Sequence, residues 1–424
     1  MSVVARQSFK YSIIGYLGFL LGMVSAVFIF PSDLTYYGKL RYILPAAQMY
    51  MTVVVFGLSF SNVYFFGRLK EVNKQQNFLS WSLLLVAINF VVFTGGFFAI
   101  FYFFPDLKKD SQLWNLRKII VPLILILSLS SVFNKYISNF KRIVVPNIFE
   151  NLFPKIANLL AFSLFFYLGF QEYFSFLAFF FIFVLAFFGY IIYTNKLEKI
   201  HLDFSTDYLK QNHFWKEVFS YSFYGFLGNL GSVLALNISS YMIGESIGME
   251  ENGVYSTIFS IVQLISIPAM GLYNISAPII RKHIAEKTIK DLDIYYKKTS
   301  LSLFFLGLVL FSCIAVGYPY LTEFMPKAGK SLLEAQPLIW VIGFALLFEL
   351  ATGFNGHIIS MSKYYRFNIY VMLFLAVLTT VLNFYFIHKT SLGILGISIS
   401  YAISLTTFNL AKIAFNYYKF KVSP

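Results

Sequence analysis

The chain has 424 residues, of which 58% are hydrophobic, 20% aromatic and only 12% charged, with a formal net charge of +14. Soluble globular proteins carry roughly 25% charged residues, so a chain this apolar could not cover a surface in water. A soluble enzyme, a disordered chain and a disulfide scaffold are excluded, and the lone Cys313, in an apolar run, reads as a packing residue.

Lipid is then the expected solvent, and a helix needs about 20 apolar residues to cross its hydrocarbon. Runs of that kind lie at about 11–30, 42–66, 79–104, 119–137, 148–170, 174–193, 218–243, 254–280, 299–320, 337–360, 367–387 and 393–416. They are too long and unbroken for buried strands and lack the in-out alternation of an outer-membrane barrel. The expected fold class is all-α: a polytopic membrane protein with twelve transmembrane helices. The first run follows Arg6 and Lys10 without a small-x-small cleavage site and reads as a retained helix.

With the N-terminus placed in the cytoplasm, the inner segments carry 23 Lys and Arg, three of them at the C-terminal end. The outer segments carry 9, and Lys155 alone is counted inside a span. This asymmetry puts both termini on the cytoplasmic side. The excess charge answers to topology and to anionic membrane lipid, and no basic segment on a soluble module points to nucleic acid.

The stretch 194–217 is the most polar in the middle of the chain. Leu197, Ile200, Phe204 and Tyr208 recur there at roughly helical spacing, so it is expected to lie along the membrane surface. It separates two expected six-helix lobes, 1–193 and 218–424. Residues 7–18, QSFKYSIIGYLG, agree with residues 217–228, EVFSYSFYGFLG, at six of twelve positions. Repeats with an even number of helices run parallel, related by a pseudo-twofold axis along the membrane normal, and generally enclose a central substrate path.

Ionised groups at the bilayer centre cost roughly 2.5–3.5 kcal/mol on insertion scales, so each one is a candidate functional residue. Glu349 lies midway along the tenth span among glycines, with Asn355 and His357 one to two turns on, and reads either as an ion-binding acid or as a packed, hydrogen-bonded one. Glu150 and Lys155 flank Pro154 near the cytoplasmic end of the fifth span. Lys155 either snorkels to the headgroups or faces a cavity and meets a phosphate. Arg41 and Gln48 in the second span, Asn229 and Asn237 in the seventh and Asn274 in the eighth are helix glue or cavity-lining groups. The two prolines of the eighth span, Pro268 and Pro278, free backbone carbonyls and mark a bend.

Several chemistries are missing. The tempting Gly329-Lys330-Ser331 has Phe324 where a Walker A motif needs glycine, and the five histidines are scattered without a Cys/His cluster. No cofactor is implied. Outer loops are short, which leaves little room for the acid and base groups of a glycan polymerase or ligase.

The opening ARQSFKYSIIGYLGFLLGMVSAVFIFP, the following YYGKLR and the eighth-span ENGVYSTIFSIVQLISIPAMGLYNISAPIIRK resemble the Wzx-type polysaccharide/O-antigen flippases. These belong to the multidrug/oligosaccharidyl-lipid/polysaccharide exporter (MOP) superfamily. The resemblance implies a non-enzymatic transporter of the bacterial cytoplasmic membrane that flips undecaprenyl-pyrophosphate-linked oligosaccharides by ion-coupled alternating access. It also implies a polysaccharide polymerase and glycosyltransferases as partners. Lys155, Arg41, Asn229, Asn237, Asn274 and Gln48 would then meet substrate, and Glu349, Glu150 and His357 the coupling ion. The family's lumen is expected to be cationic, whereas this sequence shows only Lys155 well inside a span. The alternative within the superfamily is a multidrug or cation antiporter, but such relatives place a carboxylate in the first helix, and the first and seventh spans here hold none.

Overall fold

The structure, a computed structural model, describes residues 3–206, 208, 214–325 and 328–424. The side chains of residues 3–9, 11, 12, 268, 270, 271, 274, 275, 277 and 278 lie outside that description. Among the described residues there is no strand, and each apolar run becomes a helical segment. Among the described residues, nine helices are long and apolar enough to cross a membrane. Leu34–Val55 and Leu58–Tyr64 form a tenth span, bent by 59°. The eighth and tenth runs complete the twelve as interrupted spans: Met249–Val262 continuing into Ile267–Ala285, and Pro337–Ala351 followed by Asn355–Ser360. The chain is a multi-pass, all-α membrane protein.

Contacts divide it into two compact units, Met1–Gly22 with Tyr42–Val233 and Met23–Arg41 with Leu234–Pro424. These units differ from the lobes 1–193 and 218–424: residues 23–41 belong to the second unit and residues 194–233 to the first. The first, second and seventh spans each pass from one unit into the other partway along a continuous helix.

In the first unit the fourth span, Arg117–Ser138, is the central post, with 61% of its apolar window buried against 11% for the third span, Gln75–Phe103. The second span breaks at Phe56–Gly57, not at Pro45, which stays inside Leu34–Val55. Gly57 has φ +73°, and a Cβ there would strike the Ser222 carbonyl. Only glycine takes that backbone without strain. Asn89 Nδ2 donates to the Val54 carbonyl at 3.0 Å and so satisfies a group the bend frees. The bend borders an apolar pocket of about 490 Å³ lined by Val53, Phe56, Leu85, Phe93, Trp215 and Phe219.

In the polar stretch after the sixth span, residues 198–206 run without helix and Tyr208 is helical. Polar groups at the start of the third span hold it in place. Gln75 donates to Glu198 at 2.8 Å, Lys74 to Ser205 at 2.9 Å and Asn77 to the Asp203 carbonyl at 2.9 Å. Asn77, which also donates to the Ser205 carbonyl at 3.0 Å, gives the backbone partners that a helix would otherwise supply, and Trp81 takes up Phe204 edge to face.

In the second unit the tenth span is the post, packed by the eighth, ninth and twelfth. A core of buried side chains surrounds it, including Ile258, Leu303, Phe311, Ile342 and Leu346. The eighth span tightens into a 3-10 turn at Gln263–Ser266, just before Pro268 in the resumed helix Ile267–Ala285. Cys313, read as a packing residue, is exposed on the ninth span.

Candidate functional site

Polar groups collect at two places, one in each unit. In the first unit the fifth span begins with a π-helical turn, Ile148–Leu152, between Pro146 and Pro154. Wide turns of this kind insert an extra residue and re-aim side chains, and are frequent at functional sites. Glu150 lies on this turn and keeps an accessible face. Buried Asn134 of the fourth span donates to its carboxylate. Tyr190 of the sixth span stands 3.4 Å from Asn134 Nδ2 and donates to the Pro146 carbonyl at 3.3 Å. The charge of half-buried Lys135 also acts on Glu150. Lys155 does not join this group. Its stem lies along the first span, where a Cβ on Gly22 would sit 3.2 Å from Cε and one on Gly18 3.5 Å from Nζ. Asn229 donates to Thr52 Oγ1 at 3.2 Å, while half-buried Gln48 supplies its backbone carbonyl to that same Thr52 hydroxyl at 3.1 Å.

In the second unit Arg41 is half-buried, and its carbonyl accepts from Ser240 Oγ at 2.8 Å. Among the described residues its buried Nε has no partner. Its charge reaches Tyr37 and Tyr255. Asn237 is half-buried on the seventh span. The side chain of Asn274 lies outside the described residues.

The break in the tenth span builds the second cluster. Gly353 has φ +57°, and the carbonyls freed there are taken by two tyrosines. Tyr296 donates to Thr352 O at 2.8 Å and Tyr273 to Gly353 O at 3.1 Å. Glu349 sits in the last turn before the break, half-buried. Across from it the twelfth span, Gly393–Phe420, presents Asn409, Lys412 and Asn416 on one helical face. Asn355 donates to Asn409 Oδ1 at 2.9 Å and accepts on its carbonyl from Asn416 at 2.9 Å. Lys412 is 8% exposed, its ammonium 3.6 Å from the centre of the Phe408 ring. A Cβ on Gly356 would lie 2.9 Å from that ammonium, so a glycine is what lets it in. The Lys412 charge acts on both Glu349 and His357, and the His357 ring lies 5.1 Å from that of Tyr273.

Glu349 and His357 thus lie within reach of one buried charge, Lys412, while Glu150 is held by Asn134 on the fourth span. The structure also corrects the sequence reading on one residue. Lys412, counted with the C-terminal charges, is a buried group inside the last span. The available signal was the spacing Asn409, Lys412, Asn416, a polar stripe in an apolar helix.

No known protein-family profile matches the chain, and no characterised protein matches it by sequence. Solved structures do. An inward-facing multidrug-resistance MATE transporter of the MOP superfamily superposes with a TM-score of 0.72 at 14% identity, over 99% of this chain and 95% of that one. The lipid II flippase MurJ, in an inward closed conformation, gives 0.71 at 15% identity over 98% and 88%. A MOP transporter from Pyrococcus furiosus, whose binding pocket is described as reversed in polarity, gives 0.62 at 15% over 99% and 95%. The chain has the fold of these transporters.

Proposed function

We propose that the chain is a lipid-linked oligosaccharide flippase of the MOP superfamily and not an enzyme. It moves undecaprenyl-pyrophosphate-linked repeat units from the inner to the outer leaflet of the bacterial cytoplasmic membrane by ion-coupled alternating access. Both termini are cytoplasmic in this reading, and the moving bodies are the lobes 1–193 and 218–424 joined by 194–217. The observation that carries the proposal is the full-length likeness to MurJ, a flippase of a lipid-linked precursor, together with the local strings that resemble polysaccharide flippases. The chemistry is compatible. A lipid-linked glycan needs cations for its diphosphate and amides for its sugar, and Lys155, Arg41, Gln48, Asn229, Asn237 and Asn274 are the groups assigned to it. Glu349 is the ion-coupling acid, with His357 beside it, and Glu150 is a second candidate.

Deletion of the gene is expected to abolish surface polysaccharide and to accumulate the lipid-linked repeat unit on the cytoplasmic side. A second reading, a multidrug antiporter, rests on the equally close MATE likeness. Intact surface glycan with new sensitivity to cationic dyes would select it. Glycan joining by the purified protein would replace both with a polymerase or ligase.

A further inference from the structure

We propose that the end of the third span away from the strap is a binding site for an anionic phospholipid of the surrounding membrane, with its acyl chain in a shallow aromatic pocket and its phosphate on Lys108. The inference goes beyond the flippase reading and is independent of what the protein transports.

The third span ends at Phe103, and Pro105 follows. Two short helical turns, Leu107–Asp110 and Gln112–Asn115, lead back to the fourth span at Arg117. Ser111 caps the second turn by accepting from the Trp114 backbone N–H at 3.2 Å. Arg117 donates to the Trp114 carbonyl at 2.5 Å and lays its guanidinium 3.8 Å from the centre of the Trp114 ring. Phe101 meets that ring at 4.8 Å, with Phe98 at 6.0 Å and Phe97 at 6.2 Å. These contacts fix Trp114 as one wall of a pocket of about 430 Å³, lined otherwise by Phe98, Ala99, Tyr102, Phe103 and Lys108.

The lining suits an apolar chain. Only 11% of the third span's apolar window is buried, and Tyr102 and Phe103 are 76% and 73% exposed, so a membrane lipid reaches the pocket from the side. Trp and Tyr at the end of a span sit at headgroup level. The one charged group in the lining is Lys108, half-buried, with its ammonium 5.0 Å from the centre of the Trp114 ring. Its neighbour Lys109 is paired with Asp106 at 3.0 Å, whereas no ion pair among the described residues takes up Lys108. Residues 105–118 carry Lys108, Lys109, Arg117 and Lys118 against Asp106 and Asp110. The charge asymmetry of the chain places this segment on the outer side, where basic residues are otherwise sparse, and positive charge kept there calls for a negative partner. A neutral lipid would leave the ammonium unmatched, and a soluble anion would leave the aromatic wall bare. An anionic phospholipid answers both: a phosphate oxygen accepts from Lys108 while a chain of the same molecule covers the rings.

The test uses purified full-length protein in phosphatidylcholine nanodiscs, without transport substrate, so its outcome is separate from that of the flippase reading. Brominated phosphatidylglycerol or brominated phosphatidylcholine is added in increasing fraction, and the Trp114 signal is the fluorescence lost in Trp114→Phe. One basic residue beside an anionic lipid is worth roughly fivefold in affinity, so phosphatidylglycerol is expected to quench Trp114 at about one-fifth of the fraction that phosphatidylcholine requires. Lys108→Gln is expected to abolish that preference and Lys108→Arg to keep it. Should Trp114→Phe fail to fold, native mass spectrometry of the phosphatidylglycerol retained by wild type and by Lys108→Gln gives the same comparison, with less retained by the variant. Equal quenching by the two lipids overturns the proposal, and so does a preference that survives Lys108→Gln. Displacement of the brominated lipid by excess glycerol phosphate would make this a site for a free anion and overturns it as well.

Discussion

The acid of the first unit and the acid of the second are supported in opposite ways. Glu150 stands on a π-helical turn, keeps an accessible face and receives a hydrogen bond from the neutral amide of Asn134, with Tyr190 behind it. Glu349 stands at the end of a helix with no such donor among the described residues, half-buried and within reach of the Lys412 charge. The first acid therefore depends on a neutral donor and the second on a charge carried by another helix.

The largest effect expected is at the two lysines. Lys412→Ala should destabilise the protein by about 2–3 kcal/mol, the loss of a buried side chain packed on the Phe408 ring. Lys135→Ala should cost less than about 1 kcal/mol, since Lys135 and Glu150 both retain exposure. Unfolding in detergent measures both, and equal losses would erase the distinction between the sites.

Next come the breaks in the two spans. Gly57→Ala and Gly353→Ala each force a left-handed backbone on a non-glycine residue, at a cost of about 1–3 kcal/mol. Gly57→Ala should be the worse of the two. Its Cβ would strike the Ser222 backbone, whereas at Gly353 the obstacle is the Ser300 hydroxyl, which can rotate. Unfolding temperatures that rank them the other way would show that the second-unit break is the stiffer.

Smaller again is Asn134→Leu, which should cost about 1–3 kcal/mol by leaving Glu150 without its donor, with Tyr190→Phe nearer 1. If Asn134→Leu cost as much as Lys412→Ala, Glu150 too would have to be counted as a charge-dependent site.

The smallest effect is on the non-helical strap at 198–206. The Ser205 backbone N–H, only partly offset by burial, holds the Asp203 carboxyl below its usual range, aided by the Ser205 and Asn77 side chains and Lys74. Burial pushes Glu198 up, but hydrogen bonds from Tyr136, Gln75 and Gln76 and the Lys70 charge outweigh it and hold it below its usual range too. Groups with depressed values stabilise the fold at pH above their unfolded values, 3.8 and 4.5, and lose that contribution as the pH falls through the folded ones. Hydrogen exchange at 198–206 should therefore be flat from pH 8 to about 5 once corrected for intrinsic rates, and should rise only in acid. Asp203→Asn should raise it at neutral pH. Loosening between pH 8 and 6 would assign the strap to other groups.

The spans were legible because apolar length is a local property. All twelve runs became helices, and the eighth is interrupted by a 3-10 turn just before Pro268. The Phe56–Gly57 break was not legible, since Pro45 was the visible breaker and the deciding contact, the Ser222 carbonyl, comes from far along the chain. The non-helical course of 198–206 was not legible for a related reason. Leu197, Ile200, Phe204 and Tyr208 have helical spacing, but at 198–206 Asn77, Lys74 and Gln75 offer side chains and backbone other partners.

Composition and hydropathy by themselves determined that this protein lives in lipid and crosses it as helices, because burying an unpaired backbone in hydrocarbon leaves no other choice. They also singled out Glu349, since any acid inside a span is conspicuous. Only the tertiary structure decided what each acid faces. Partners such as Glu349 and Lys412 lie on different helices, and their encounter depends on how those helices rotate and where they break, which no local stretch of sequence encodes.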